Sequence, residues 1–231
     1  MKRVAGIVVV LMMMCGPAYA GMNVSELMAD PAFAALDADA RLMQLNQRFA
    51  VDEVTTSDIS GDMVARFFMD AVVGQADAKA MLDKYAALRA QFPDLPQTYD
   101  LEQHLAMQYL ASDPALNGED ELARLKMLLQ LEENEAISWP AAAPLYKGIL
   151  ADHLASNPEY QTMDHAGRIQ YIRHLAADGV VKDLTATTFV RTEGMEMLSE
   201  LPEAERAAAF EAMQAGLDFF SKSALEEGYV E

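Results

Sequence analysis

The chain holds one cysteine in 231 residues, Cys15, and it lies in an apolar leader. A mature chain starting after Ala20 therefore has no thiol. That excludes disulfides, a cysteine nucleophile and cysteine-ligated metals. Positive charge is scarce too: 17 Lys and Arg stand against 36 Asp and Glu. Without Lys2 and Arg3 the balance is 15 against 36, a net charge of −21. Such a surface repels phosphate backbones and anionic lipid, so nucleic acid is not an expected partner, whereas a basic protein is. Past the leader no apolar run approaches eighteen residues, so no stable membrane insertion is expected after cleavage. Gly/Ser linkers and low-complexity tails are also missing.

The leader has the anatomy of a secretory signal peptide over residues 1–20. Lys2 and Arg3 open it, Val4 to Cys15 is apolar, and Ala18-Tyr19-Ala20 has the small-x-small cleavage form. Lipidation at Cys15 would need a small residue before it, and Met14 is large, so a lipoprotein is not expected. The localisation this predicts is the periplasm.

The chain beyond Gly21 has helical period almost throughout. Ala38, Leu42, Leu45 and Phe49 share a face, as do Met81, Tyr85, Leu88 and Phe92. Leu122, Leu125, Leu128 and Leu129 form another stripe, as do Ile169, Ile172, Leu175 and Ala176, and Phe210, Met213, Leu217 and Phe220. The one β-favouring patch is Val180 to Thr192, and its second half still reads as helix. The fold class predicted is all-α: eight or nine helices as successive antiparallel helical hairpins, an irregular α-solenoid or bundle. Pro93 and Pro96 in "QFPDLPQTYD" suggest a hinge between an N-terminal lobe (21–92) and a C-terminal lobe (99–231), with a single domain over 21–231 as the alternative. "SWPAAAP" at 138–144 suggests a second break.

Three segments echo one another. Pro31, Pro114 and Pro158 align; a hydrophobic residue comes two positions later (Phe33, Leu116, Tyr160) and an arginine ten positions later (Arg41, Arg124, Arg168). Proline forces the residue before it out of helical geometry, so each Asx-Pro step ends one helix. Asp30, Asp113 or Asn157 can then cap a short turn with proline at its first position. Asp37, Asp120 and Asp164 precede their arginines by four residues, the spacing of a helical ion pair. A weaker echo surrounds Arg206, and a degenerate copy is expected within 76–112. Ser60 and Thr185, each six residues before an arginine (Arg66, Arg191), are expected to cap helices of related units. Periods near forty residues belong to stacked helical repeats.

Chemistry is harder to find. His104, His153, His165 and His174 make no His-Glu-x-x-His pattern, and of twelve methionines after Gly21 only Met195 and Met197 are close, so no metal ligand is nominated and core filling accounts for the methionines. Gly-x-Ser-x-Gly, Ser-x-x-Lys, a phosphate-binding glycine loop and an EF-hand are all missing. No catalytic residue and no cofactor is nominated. Glu135, beside "AISWP", is the best acid for a two-carboxylate hydrolase. The one segment suited to binding is "SWPAAAPLYKG", with the only tryptophan, Trp139, and Tyr146, residue types common both at binding hot spots and as core anchors. The function this predicts is that of a non-catalytic adaptor or chaperone-like protein binder. The alternatives are a cell-envelope hydrolase with paired carboxylates and a binder of metal or a small ligand.

Overall fold

The computed structural model describes residues 29–51, 54–113 and 121–215, with the single positions 27, 116, 217, 222, 223 and 226. The leader, Pro114, Asp120 and Phe220 lie outside the described residues. Among those described, the chain is all-α, with eleven helices and no strand. They are α1 (Pro31–Ala34), α2 (Ala38–Ala50), α3 (Gly61–Val72), α4 (Ala78–Gln91), α5 (Tyr99–Ser112), α6 (Glu121–Glu133), α7 (Trp139–Ser156), α8 (Pro158–Thr162), α9 (His165–Ala177), α10 (Asp183–Glu200) and α11 (Glu203–Ala215). The excess over eight or nine comes from α1 and α8, single turns created by the Asx-Pro steps.

The repeated residues act alike in the first and third copies. Asp30 caps α1 by accepting from the Ala32 N–H, and Asn157 caps α8 by accepting from Glu159 and Tyr160. Phe33 and Tyr160 then turn inward and are buried. Asp37 and Asp164 cap α2 and α9, accepting from Ala40 and Gly167 at 2.8 Å. The arginines do something other than pair with those aspartates. Arg41 reaches back with Nε to the Phe33 carbonyl and with Nη2 to Ala34, at 3.4 and 2.6 Å. Arg168 does likewise to Tyr160 and Gln161, at 3.3 and 3.4 Å. Arg206 donates to the carbonyls of Leu201 and Ser199. Asp37 and Asp164 thus satisfy orphan N–H groups, and Arg41, Arg168 and Arg206 satisfy orphan carbonyls of the preceding turn, which the ion-pair expectation missed.

The register of the repeat is strict in the second half of the chain. The helices α6 and α7 cover 121–133 and 139–156; α9 and α10 cover 165–177 and 183–200, every boundary 44 residues on. The turns between them match bond for bond. Ala136 N–H bonds to the Leu131 carbonyl and Glu135 to Glu132; Val180 bonds to Leu175 and Gly179 to Ala176. These are Schellman closures, in which the residue after the cap takes a left-handed backbone. Gly179 adopts it at φ 65°, and Glu135 adopts it at φ 57° despite its Cβ. The degenerate copy is α4 with α5: Asp77 caps α4 through the Ala80 N–H, and α5 ends at Ser112, 44 residues before the end of α7.

Two compact units are present. One comprises the described residues of Met1–Ala71 with Leu88–Thr98, the other Val72–Ala87 with Tyr99 onward. The first is built on Phe33, Leu42, Leu45, Val64, Phe67, Phe68 and Leu95. Phe33 meets Phe67 edge to face at 5.9 Å, Arg89 lies 5.5 Å over the Phe68 ring, and Asn46 ties α2 to Asp94. In the second unit α6 packs on α7, α9 on α10, and α5 on α7. Leu125, Leu128, Tyr146, Leu150 and Ile172 are wholly inaccessible. Each such side chain contributes about 1.5–3 kcal/mol on leaving water.

Four local expectations need correction. "SWPAAAP" is no break: α7 begins at Trp139 and runs through Pro144, giving up one backbone hydrogen bond there. Thr185 is no cap: α10 begins two residues earlier, with Lys182 at the N-cap position, and Thr185 is buried inside it. The α11 stripe is only half covered, since that helix has no buried residue. Met43, placed in the core by its spacing, is exposed.

Candidate functional site

The segment around Trp139 forms the rim of a cleft in the second unit. Ile137 is buried behind the α6–α7 turn, and this aims the start of α7. Ser138 is held by the buried Glu102 of α5, which accepts from the Ser138 N–H and, at 3.0 Å, from its hydroxyl. Burial of Glu102 is thus matched by donors, as a buried carboxylate requires.

Trp139 and Tyr146, the two residues nominated for binding, lie together at 6.0 Å between ring centroids. Their exposures differ. Tyr146 is wholly buried, while Trp139 is half-buried and lines the cleft. Burial, and then Glu132, which accepts from its hydroxyl at 3.1 Å, push the Tyr146 hydroxyl far above its ordinary range. Glu132 also pairs with Lys182, whose ammonium sits 5.3 Å over the Trp139 ring. The cleft has a volume of about 560 Å³. Its walls combine Trp139, Leu129 and Leu184 with Glu132, Glu133, Asp183 and Lys182. Leu184 is 62% exposed, a large apolar side chain at the mouth. Such a mixture of apolar anchors and acidic rim can hold an apolar side chain flanked by cationic ones. Glu132 and Lys182 carry no motif; they are brought to Trp139 by the 44-residue register, which sets the α9–α10 turn beside the α6–α7 turn.

Glu135, nominated for hydrolysis, is exposed at the left-handed position ending α6, far from the apolar pocket a general acid needs. His104 and His174 are exposed. The other two histidines belong to a connected cluster that sequence reading did not assemble. His153 Nε2 lies 2.8 Å from the Tyr171 hydroxyl, which also accepts from Asn157 Nδ2 at 2.8 Å. Tyr171 packs on Tyr160, and the Tyr160 hydroxyl donates to Glu193 Oε1 at 2.7 Å. His165 Nδ1 is 2.9 Å from Glu193 Oε2, with Arg168 Nη1 at 3.6 Å from the same oxygen. Glu200 approaches His165 Nε2 at 3.4 Å. The Glu193 hydrogen bond, helped by Glu200 and opposed by burial, holds His165 above the ordinary imidazole range. Burial, and then Glu193, push the Tyr160 hydroxyl far upward. The one hint in the sequence is the spacing Glu193-Glu196-Glu200, three acids on one helix face.

No protein-family model, no curated protein and no solved structure matches this chain. No described helix is long and apolar enough to cross a membrane.

Proposed function

We propose that this protein is an exported, non-catalytic protein-binding factor of the periplasm, adaptor or chaperone-like in action, released by cleavage after Ala20. Its helices are read as successive antiparallel hairpins, and its client as a basic protein. The observation that carries this is the cleft at Trp139. An exposed Leu184 and a half-buried tryptophan sit among Glu132, Glu133 and Asp183, an arrangement suited to an apolar side chain with lysine or arginine neighbours. The acid-rich composition favours the same client by long-range attraction. The alternative reading as a two-carboxylate hydrolase loses its nominated acid, because Glu135 is a turn residue. The alternative reading as a metal binder gains support from the cluster at His165.

A photo-crosslinking residue placed at Leu184 tests the proposal in the intact periplasm. It should capture a discrete basic protein, and Trp139→Ala should reduce that adduct about tenfold, since a buried aromatic anchor is worth about 1–2 kcal/mol or more. Binding of the purified client should weaken as salt rises from about 0.05 to 0.5 M. No adduct beyond that seen from an exposed control position such as Val73, together with degradation of peptidoglycan by the purified chain, would overturn it.

A further inference from the structure

We propose that His165, Glu193 and Glu196 form a binding site for one divalent transition-metal ion of the zinc class. The 44-residue repeat separates what the fold needs from what it does not. Shifting Glu193 back by 44 positions gives Ile149, and shifting Tyr160 gives Leu116; both equivalents are buried and apolar. The earlier copy packs the same joint with two aliphatic side chains. The later copy places a carboxylate there, 8% exposed, and supplies a tyrosine hydroxyl, an imidazole and a guanidinium to hold it. Packing alone therefore does not account for Glu193, whose carboxylate is held by three polar partners instead.

The donor set then decides the ligand. One imidazole nitrogen and two carboxylate oxygens, from His165, Glu193 and Glu196, all lie within 4.8 Å of one another. Bonds of about 2.1 Å to a tetrahedral ion set donors about 3.4 Å apart, so the cluster closes by roughly an ångström or more. Glu196 is exposed and free to swing in. Glu193 is the fixed member: Tyr160 occupies Oε1, and Oε2 faces His165. The ion takes the place of the hydrogen bond between His165 Nδ1 and Glu193 Oε2, and the two carboxylates balance its charge. Arg168 remains an outer partner of Glu193, Glu200 on the opposite ring nitrogen Nε2 holds the His165 proton there as a second outer partner, and water completes the coordination. Mixed nitrogen and oxygen donors suit zinc; calcium asks for six to eight oxygens, and cuprous ion for thioethers, which are not in the cluster.

The test is calorimetric titration of Zn²⁺ into the purified, EDTA-stripped chain. Saturable binding of one ion per chain is expected. His165→Gln should remove it, and Glu196→Gln should weaken it at least tenfold. Tyr160→Phe, which keeps the packing but frees Glu193, should weaken it about tenfold as an outer-partner loss does. Asp70→Asn, an exposed acid of α3 outside both sites, should change nothing. If His165→Gln fails to fold by circular dichroism, Glu196→Gln decides alone, because that side chain lies on the surface. Absence of one-to-one binding, or binding equally tight in wild type and Glu196→Gln, overturns the site and leaves the cluster a structural ion-pair network.

Discussion

At the scale of single residues, Glu135 carries the clearest strain. A left-handed backbone puts Cβ against the following carbonyl oxygen, a cost of roughly 1–2 kcal/mol that glycine avoids. The equivalent position one repeat later is Gly179. Glu135→Gly should therefore stabilise the chain by about 0.5–1 kcal/mol, after the extra freedom of glycine in the unfolded state is subtracted. A higher urea midpoint with an unchanged slope would show it; an unchanged or lower midpoint would contradict it. Asp58 gives a pH-dependent case. Its carboxylate accepts from the Thr55 hydroxyl and N–H at 2.8 Å, and this holds its titration below the ordinary 3.8. Because the folded value is the lower one, the contribution is present above the unfolded value and is lost as pH falls through the folded one. Thr55→Ala should move the Asp58 midpoint up toward 3.8 in a carboxyl-resolved NMR titration.

At the scale of helices, the joint formed by an Asx cap, an inward hydrophobe, an Asp cap and a back-reaching arginine is the unit of construction. Its capping half was legible in the sequence, because Asx-Pro and Asp-x-x-x-Arg are local patterns with local causes. The arginine's true partners were not, because carbonyls have no residue identity and every turn offers them. Removing a cap tests the unit. Asp164→Ala frees the Gly167 N–H and should cost about 1 kcal/mol, lowering Tm by about 2–4 °C for a chain of this size. A loss indistinguishable from that of an exposed mid-helix aspartate such as Asp152 would deny the cap its role. Helix structure near proline was misread in α7: Pro140 lies in the first turn, where the N–H has no intrahelical partner to lose, and Pro144 costs one backbone hydrogen bond in a helix that buries eight side chains.

At the scale of the whole molecule, the helical class and the period were legible because both are written in spacing. The sites were legible only in part. Trp139 could be picked out by its rarity, but Glu132 and Lys182 are 50 residues apart and meet only once the register is known. His165 and Glu193, 28 residues apart, are invisible until α9 lies against α10. Pairing of ordinary residue types across a helix interface leaves no motif. It can be found by comparing one repeat with the next and asking where an aliphatic position has become ionisable.

The equal stride of the helix boundaries has a consequence for how such a chain can change in length. Ser112-Asp113 and Ser156-Asn157 are chemically alike junctions, so copying or excising the block between them leaves each remaining seam with the neighbours it already had. Growth and shrinkage by whole blocks are then tolerated, whereas an insertion of a few residues inside one would throw its cap, its clamp and its closing turn out of step together.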